Sequence, residues 1–517
     1  MKTKWLLISL LGGLALVLGT GLALGGWSDN VQAQAPDAPA VGPGWLFATV
    51  DDDGDPDSTS SSLVLDGDDT PHIAYHVVTG DAVRYAVLDG AAWLSETVAT
   101  SAVGPILAFD SSGDPHIAFT QRGPNAIYAQ KAGASWVTDT VELTAAAGDI
   151  ALDGADNPRI LQWRMGPPMV GGGLKYSVWT GGWDIQVVEA EWWKDGAGFS
   201  LALDGSDEPH VAYNVVDFDA VYYAVLSGTT WIRETVVLSG LMPSLVLDSA
   251  GDSHMVYTHR GPWAEYAYQV ASGWVTERID SEPSVSPALA LDEFDNPHVA
   301  YCDPRPRPVG DGLKYAYRTA SGWVIEEIEW IACADPQLAL DSLGNPHISF
   351  YDLENDRIRY AHWATEQVTG TIGTGGGTIA SESDNTILNI PQDTFTATVV
   401  VTHTPLFVGS TPPAADLLGI GHAFDVTAVF EGSGGEAQPA PGETVTVTVG
   451  YTDEERGVVV EDTLALYSWD GNDWVLEPTS QVDTGANTVT ATPGHFSIWA
   501  VLGDTHRVFL PLVQQSY

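Results

Sequence analysis

Arginine and tryptophan side chains are the residues of this sequence whose chemistry is easiest to interpret. The 517 residues include only 20 lysines and arginines against 68 aspartates and glutamates, so each arginine is conspicuous. An arginine guanidinium binds a carboxylate or sulfate through paired hydrogen bonds, and an aromatic ring stacks on the face of a sugar. The residues that we predict to bind ligand in this way are Arg122, Arg164, Arg260, Arg305, Arg307, Trp163, Trp192, Trp193 and Trp263.

These residue types predict recognition of an acidic or neutral glycan, or of an extracellular protein. The alternative is that the arginines pair with the many carboxylates of the chain itself and stiffen its loops, since surface ion pairs are common. A net charge of −48 argues against nucleic acid as the ligand, because neutralising phosphates requires a basic surface. We therefore expect a binding protein without a cofactor, and catalysis is the less favoured function.

A second group of residues could catalyse proton transfer. The segment YTHRGPW, residues 257–263, contains Tyr257, His259 and Arg260. A base that removes a proton beside a carboxylate, with arginine stabilising the developing charge, is the chemistry of some polysaccharide lyases. A carbohydrate-active enzyme, either such a lyase or a glycoside hydrolase acting on acidic glycans, is therefore the alternative function.

Acidic residues at alternate positions could bind calcium. The segment DDDGDPD, residues 51–57, has this pattern but lacks the glycine and glutamate spacing of an EF-hand loop. A solvated acidic turn is the simpler interpretation. We therefore predict no metal site, with calcium as the alternative.

The elements that must position these residues come from a unit repeated seven times, with a period of about 44 residues that is typical of β-propeller blades. Each unit has an apolar strand ending in Asp at a tight turn, a second strand that follows His, a tyrosine-centred strand and a tryptophan-bearing strand. The first two strands and their turn are LVLDGDDTPHIAY (63–75), LAFDSSGDPHIAF (107–119), IALDGADNPRILQ (150–162), LALDGSDEPHVAY (201–213), LVLDSAGDSHMVY (245–257), LALDEFDNPHVAY (289–301) and LALDSLGNPHISF (338–350). Because the Asp and His recur in nearly every unit, we assign them a structural role.

The tryptophan-bearing strands begin before the first repeat. The first such tryptophan is Trp45, and the seventh repeat, which ends near residue 366, has no strand of this kind. We therefore predict that an N-terminal strand completes the seventh blade, because pairing the two chain ends removes exposed strand edges. The prediction is an all-β fold with a seven-bladed β-propeller over residues 44–366.

The strand order of a blade places the arginine-bearing segments at one face. The connections between second and third strands share this face with the start of each first strand. Cys302 ends the second strand of the sixth blade, and Cys333 precedes the first strand of the seventh. Both cysteines thus lie at the same face in neighbouring blades, which predicts a disulfide in an exported chain.

Residues 1–35 have the features of an export signal. A basic start, MKTK, precedes the apolar run 5–27, and small residues suited to cleavage occur at 31–35. The apolar run is also long enough to span a bilayer, so an uncleaved N-terminal anchor is the alternative. We expect a secreted or cell-surface monomer that contacts a membrane only through this segment if it is retained.

The seventh repeat, LALDSLGNPHISFYD (338–352), together with strands such as LKYAYR (313–318) and GWVIEEI (322–328), resembles bacterial secreted propellers of the sialidase-like, Asp-box-related (BNR-like) kind. In place of the tryptophan that the strict Asp-box pattern has after its glycine, this chain has PHI. The resemblance implies the propeller fold. A sialidase-like enzyme would imply an arginine triad, a Tyr/Glu pair and an aspartate, and the sequence offers no matching Tyr/Glu motif.

Residues 369–505 predict a C-terminal β-sandwich, because strands such as ETVTVTVGY (443–451) alternate strictly between apolar and polar residues. GGTIASESDNTILNIPQDTF (376–395) and HFSIWAVLG (495–503) resemble ZU5/UPA-like modules. That resemblance implies a self-cleaving turn at His495, Phe496 and Ser497, in which the serine attacks the preceding carbonyl and the histidine assists. The alternative is an ordinary terminal strand. We assign no role to the tail, residues 506–517.

Overall fold

The computed structural model describes residues 44–51, 60–78, 80–164, 172–190, 198–215, 220–305, 312–319, 322–412, 414 and 417–505. The predicted export signal or anchor (1–35), most of the acidic segment 51–57 and the tail 506–517 lie outside these ranges, as do Trp192, Trp193 and Arg307. Within the described ranges, no helix is long and apolar enough to cross a membrane.

The regular secondary structure of the described chain is almost entirely β-strand, which confirms the predicted all-β class. The exceptions to strand and loop are one short helix, α1 (Asp453–Arg456), and two 3-10 turns, Val408–Ser410 and Glu461–Thr463. Most of the strands are short and belong to four-stranded antiparallel sheets, as expected for tandem repeats with turn residues between strands.

Seven four-stranded sheets follow one another along the described chain, and we number them in that order with strands given from first to fourth. Sheet 1 is β2 (Ser61–Leu65), β3 (Pro71–Val77), β4 (Ala82–Asp89) and β5 (Ala92–Thr100); sheet 2 is β6 (Ala102–Phe109), β7 (Pro115–Gln121), β8 (Asn125–Ala132) and β9 (Ser135–Leu143); sheet 3 is β10 (Ala145–Leu152), β11 (Pro158–Arg164), β12 (Gly173–Trp179) and β13 (Trp183–Glu189). Sheet 4 is β14 (Phe199–Leu203), β15 (Pro209–Val215), β16 (Ala220–Ser227) and β17 (Thr230–Val237); sheet 5 is β18 (Gly240–Leu247), β19 (Ser253–His259), β20 (Trp263–Val270) and β21 (Gly273–Arg278). Sheet 6 is β22 (Val285–Leu291), β23 (Pro297–Asp303), β24 (Gly312–Thr319) and β25 (Gly322–Glu329); sheet 7 is β26 (Cys333–Leu340), β27 (Pro346–Asp352), β28 (Arg357–Ala364) and β1 (Gly44–Asp51).

Sheet 7 contains strands from both ends of the repeat region. The N-terminal strand β1 pairs antiparallel with β28, so that Trp45 lies opposite Trp363 and Ala48 lies opposite Tyr360. The Trp45 indole also donates a hydrogen bond to Glu326 of sheet 6, 3.2 Å away. The strand that the seventh repeat lacks is thus supplied by the segment before the first repeat.

Neighbouring sheets pack through aromatic pairs in which the third-strand tyrosine of one sheet contacts the fourth-strand tryptophan of the next, edge to face. The ring-centroid distances are 5.5 Å for Tyr85–Trp136, 5.7 Å for Tyr128–Trp183, 5.6 Å for Tyr176–Trp231, 5.3 Å for Tyr223–Trp274, 5.5 Å for Tyr266–Trp323, 5.5 Å for Tyr315–Trp45 and 5.3 Å for Tyr360–Trp93. The last pair joins sheet 7 to sheet 1, so the series of contacts returns to its start.

The repeated Asp and His fasten the turn of each sheet. In sheet 1, the Asp66 carboxylate accepts the backbone N–H groups of Asp68 and Thr70, each at 2.9 Å. His72 bridges Asp66, at 3.1 Å from Nε2, and the Tyr85 hydroxyl, at 2.5 Å from Nδ1. Both ring nitrogens are therefore engaged within the sheet, as a structural role requires. In sheet 3, Arg159 takes the histidine's place and binds Asp153 at 2.7 Å.

Two further sheets follow the seven and share one hydrophobic core, which includes the fully buried Trp499 and Phe424. The six-stranded sheet consists, in spatial order, of β29 (Val368–Ile372), β32 (Val399–Pro405), β33 (Leu418–Phe430), β39 (Ile498–Gly503), β35 (Ala465–Trp469) and β36 (Trp474–Leu476). The five-stranded sheet consists of β30 (Gly377–Ser381), β31 (Thr386–Ile390), β34 (Thr446–Gly450), β38 (Thr488–Ala491) and β37 (Gln481–Asp483). We refer to these two as the C-terminal sheets.

Each of the seven four-stranded sheets has two chemically different ends. We call the end that carries the Asp turn between first and second strands the turn face. The opposite end, where the second strand connects to the third, is called the loop face. The C-terminal sheets contact the turn face, because Ser410 donates a hydrogen bond of 2.6 Å to the Gly344 carbonyl in the turn of sheet 7.

Candidate functional site

The arginines predicted to bind ligand lie at the loop face, within the described part of the chain. Arg122 follows β7, Arg164 ends β11, Arg260 follows β19 and Arg305 follows β23. All four therefore come from the same strand position in sheets 2, 3, 5 and 6. The topology thus brings them to one face, as the repeat alignment predicts.

Arg122, Arg164 and Arg305 pair with carboxylates of the chain. Arg164 binds Glu142 at 3.0 Å, and Arg305 forks Asp303 through Nε at 3.0 Å and Nη2 at 2.7 Å. Arg122 binds Asp81 and holds the pKa of that carboxyl below its ordinary value. Their charge is largely neutralised by these partners, as in the alternative interpretation of internal pairing.

Of the tryptophans predicted to bind ligand, the two that the structure describes contribute little open aromatic surface. Trp163 packs against the core between sheets 3 and 4. The ring of Trp263 is covered by His259, stacked at 4.4 Å, and by the Arg278 guanidinium, at 4.3 Å. Its indole nitrogen donates a hydrogen bond of 2.8 Å to Glu265. A sugar could stack on Trp263 only after one of these neighbours had moved.

The residues proposed for lyase chemistry do not form an open acid–base group. Tyr257 is fully buried, its hydroxyl donates a hydrogen bond of 2.6 Å to Glu265, and burial raises its pKa well above the ordinary value. His259 accepts the Gly261 N–H at 3.0 Å through Nδ1. Because a general base must reach the proton that it removes, this geometry argues against Tyr257 as the base in the alternative enzyme.

The loop face contains a set of ionic clamps that the sequence does not reveal. A carboxylate at the end of a fourth strand accepts hydrogen bonds from a cation and a tyrosine of the following sheet. Asp51 binds the Tyr75 hydroxyl at 2.6 Å and Arg84 at 3.0 Å. Asp280 binds Tyr301 at 2.9 Å and Lys314 at 3.2 Å. These partners are far apart in the sequence, so only the packing of neighbouring sheets identifies them.

The predicted disulfide between Cys302 and Cys333 is present. Their Cα atoms are 5.7 Å apart, and the bond links β23 of sheet 6 to β26 of sheet 7. Both residues are buried in the core between these sheets. The bond therefore joins sheet 7, which contains strands from both ends of the repeat region, to its neighbour.

The turn predicted to cleave itself, residues 495–497, lies directly before β39, and its groups are hydrogen-bonded to other parts of the chain. The Ser497 hydroxyl donates to the Trp469 carbonyl at 3.0 Å, and the Phe496 N–H donates to Gln438 at 2.7 Å. The His495 ring lies 5.1 Å from the ring of Trp499. The hydroxyl that would have to attack is thus hydrogen-bonded to a different carbonyl, and self-cleavage stays a prediction.

Metal binding finds no support in the described residues, which contain no group of three or more histidine, cysteine or acidic side chains arranged to hold an ion. The acidic segment predicted as a calcium alternative lies largely outside these ranges, with only Asp51 described. Asp51 itself is bound to Tyr75 and Arg84.

At the turn face, a crevice opens between sheets 2 and 3, and another opens between sheets 5 and 6. Crevice A, between sheets 2 and 3, has a volume of about 430 Å³ and is lined by Tyr128, Gln130, Val137, Thr138, Asp139, Asp156, Asn157, Pro158 and Trp179. The Trp179 ring packs on Trp183 at 5.2 Å, and the Trp183 indole donates a hydrogen bond of 3.1 Å to Asp139. The half-buried Trp179 is thereby held at the crevice.

Crevice B occupies the equivalent position between sheets 5 and 6. Its volume is about 760 Å³, because the C-terminal sheets form an additional wall. Residues of the four-stranded sheets at this crevice include Tyr266, Tyr268, Asp295, Asn296 and Arg318, and residues of the C-terminal part include Leu417, Ile420 and Glu455. Tyr266, Asp295 and Asn296 correspond by repeat position to Tyr128, Asp156 and Asn157 of crevice A.

The polar groups of both crevices are held by the turns. Asp156 has a positive φ of 62° and accepts two hydrogen bonds from Ser111 of sheet 2, at 2.8 and 2.7 Å. Asp295, also with φ of 62°, accepts the equivalent pair from Ser249 of sheet 5 at 2.8 and 2.6 Å. Aspartate tolerates this left-handed conformation better than most residues. The repeated turn therefore places a carboxylate and a neighbouring amide at each crevice.

Two half-buried carboxylates near the loop face are expected to make folding stability depend on pH. Burial raises the pKa of Asp149 to about 7, although its carboxylate accepts the N–H groups of Leu201 and Ile150, and burial raises the pKa of Asp335 to about 6. A pKa that is higher in the folded state means that protonation favours folding. The resulting stability is complete below the unfolded pKa near 4 and is lost as pH rises through 6 to 7.

Asp149 and Asp335 are therefore expected to make the free energy of unfolding larger at about pH 5 than at about pH 8. His362, whose pKa burial lowers to about 4, acts in the opposite direction, so the contribution of Asp149 is isolated by substitution. Asp149→Asn should reduce this difference by about 1–2 kcal/mol, because the amide cannot ionise. Chemical denaturation at the two pH values measures it, with the exposed Asp89→Asn as control. An unchanged pH dependence in Asp149→Asn would contradict the assignment.

Comparison with known proteins identifies no family for this chain. No protein-family model and no curated protein sequence matches it. Among solved structures it is similar to virginiamycin B lyase from Staphylococcus aureus (13% identity, TM-score 0.43, 62% of this chain and 99% of that chain). It is also similar to the SapL1 lectin in complex with alpha-methyl fucoside (15%, 0.37, 52% and 97%) and to the six-bladed fucose-binding lectin of Aleuria aurantia (12%, 0.38, 52% and 95%). These neighbours are β-propeller proteins.

Proposed function

We propose that this chain is an extracellular carbohydrate-binding protein. In this proposal the seven four-stranded sheets are the blades of one propeller. Residues 369–505 form a β-sandwich that contacts the turn face of the propeller. The closed series of Tyr–Trp contacts and the shared core of the C-terminal sheets support this architecture. The disulfide is consistent with function outside the cell.

Crevice A is the proposed sugar-binding site. It combines the aromatic rings of Trp179 and Tyr128 with the carboxylate of Asp139 and the amides of Gln130 and Asn157. A pyranose ring presents an apolar C–H face and a rim of hydroxyl groups. The electron-rich face of an aromatic ring attracts the C–H face, and amides and carboxylates can bond the hydroxyls as donors and acceptors. A volume of about 430 Å³ is within the usual range for a small-ligand pocket.

A neutral glycan is the ligand class that the charges favour. The chain carries a net charge of −48, and carboxylates line both crevices: Asp139 and Asp156 in crevice A, and Asp295 and Glu455 in crevice B. This field repels sulfated and uronic-acid chains. The loop-face arginines, which would attract such chains, are mostly bound to acidic partners.

A glycan array followed by calorimetry with the best neutral ligand tests the proposal. Trp179→Ala should weaken binding about 5- to 30-fold, because a stacking partner contributes roughly 1–2 kcal/mol. Arg260→Ala at the loop face is the matched control and should bind as the wild type does. Binding lost in Arg260→Ala but kept in Trp179→Ala would move the site to the loop face. Absence of any glycan binding, with release of unsaturated sugars from acidic polysaccharides, would favour the lyase alternative.

A further inference from the structure

A third crevice of the same kind is filled by the protein itself. Between sheets 6 and 7, Tyr315 corresponds by repeat position to Tyr128 of crevice A, and Trp363 corresponds to Trp179. Trp363 packs on Trp45 at 5.8 Å, as Trp179 packs on Trp183. The side chain that occupies this crevice is Phe407, from the loop between β32 and β33.

Phe407 is enclosed by aromatic rings that belong to both sheets. Its ring centroid lies 5.1 Å from Tyr317, 5.7 Å from Tyr315 and 5.2 Å from Trp363, each in an edge-to-face arrangement. Only 3% of the residue is exposed. The crevice between two neighbouring four-stranded sheets can therefore hold a six-membered ring and exclude water from around it.

Two glycines let the backbone of Phe407 and its neighbours approach this closely. A Cβ atom on Gly409 would lie 2.7 Å from the Tyr317 ring, and one on Gly344 would overlap the side chain of Ser410. Gly344 has a φ of 76°, in the turn of sheet 7. At the same turn position in sheet 5, Gly251 has a φ of 86° and open space around it. The crowding at Gly344 is thus due to the docked segment and not to the turn.

The docked segment is tied to the C-terminal sheets as well. The Leu406 N–H donates to the Ala423 carbonyl at 2.8 Å, and the Trp474 indole donates to the Pro412 carbonyl at 2.8 Å. We call residues 406–412 the arm. Any ring that took the place of Phe407 would have to displace a segment that belongs to the C-terminal part of the chain.

We propose that the crevice between sheets 6 and 7 is a third ring-binding site of the propeller and that Phe407 is its built-in occupant, so that ligand and arm exclude each other. The ligand class, a neutral sugar ring, rests on the function proposed above, whereas occupation by an internal ring stands on the contacts of Phe407. A tethered ring competes at an effective concentration in the millimolar range, so a weak ligand is kept out unless the arm is released.

Displacement of the arm is tested with Gly344→Ala in the full chain. The added methyl group collides with Ser410 but touches none of the aromatic residues. Gly251→Ala is the matched control, since it imposes the same backbone strain at a turn without an arm. The probe is 4-fluorobenzyl alcohol, followed by fluorine NMR. We expect Gly344→Ala to bind one more equivalent of probe than either the wild type or Gly251→Ala.

Phe407→Ala supplies an independent variant, and it too should gain one probe site. The double variant Phe407→Ala/Trp363→Ala should lose the added site, because one wall of the crevice is missing. The proposal would be overturned if neither Gly344→Ala nor Phe407→Ala bound an additional equivalent of probe. It would also be overturned if the additional site remained in the double variant that lacks Trp363. If the wild type binds no neutral glycan while the probe site opens as expected, the carbohydrate proposal fails and the internal occupant stands.

Discussion

A variant that lacks residues 44–51 is expected to lose cooperative unfolding and to aggregate. Strand β1 pairs along β28 from Gly44 to Asp51, and its removal leaves the backbone edge of β28 unpaired. An unpaired strand edge is a template for association with other chains. The deletion also removes the Trp45 contacts to Tyr315 and Trp363 and the Asp51 clamp. We therefore expect this deletion to destabilise the fold more than any single side-chain replacement in the seven sheets.

Size-exclusion chromatography and thermal unfolding measure this effect. A synthetic peptide of residues 41–51 should restore a monomer by filling the empty strand position, as in strand complementation. Trp136→Ala, which removes the equivalent tryptophan from the fourth strand of sheet 2 and leaves that strand in place, serves as control: it should cost about 2–4 kcal/mol without aggregation. A deletion variant that stays monomeric with an unchanged melting temperature would show that β1 is dispensable.

Replacement of both cysteines, Cys302→Ala together with Cys333→Ala, should lower the free energy of unfolding by about 3–4 kcal/mol. The bond closes a loop with a sequence separation of 31, and the chain-entropy model assigns a loop of this length a stabilisation of about this size. Alanine avoids leaving an unpaired polar group in the core, where Cys302 is fully buried. For a propeller of this size the loss corresponds to a drop in melting temperature of about 5 °C.

Differential scanning calorimetry with and without reductant checks this prediction. The reductant should shift the wild type towards the double variant once the buried bond becomes accessible, and it should leave the double variant unchanged. Equal melting temperatures for the wild type and the double variant under oxidising conditions would show that the link between sheets 6 and 7 contributes nothing. The result is independent of any ligand.

The repeat pattern predicts more of this fold than of its site. Strand identity follows from alternation within about ten residues, and each turn is marked by its own Asp, so these features are local in the chain. Closure follows from counting, because Trp45 has no repeat of its own and the seventh repeat lacks its tryptophan. The pairing of Cys302 with Cys333 follows from the same register.

The contacts of the loop-face arginines cannot be predicted from the repeat pattern. The alignment assigns Arg164 and Arg305 to one face, and both lie there. The partner of Arg164 is Glu142, from the preceding sheet, and one partner of Arg305 is Glu282. With 68 acidic residues available, composition indicates that partners exist but not which carboxylate reaches which arginine.

The amino-acid order alone is sufficient for the all-β class, the four-strand unit, the strand borrowed from the N-terminus and the disulfide, because each depends on spacing along the chain. The crevices and their built-in occupant depend on how one sheet lies against the next. Tyr315, Trp363 and Phe407 meet only because sheets 6 and 7 stack and the C-terminal sheets turn back onto them. The spacing of residues along the chain does not predict these contacts, because they arise from side-chain packing between elements that are distant in the sequence.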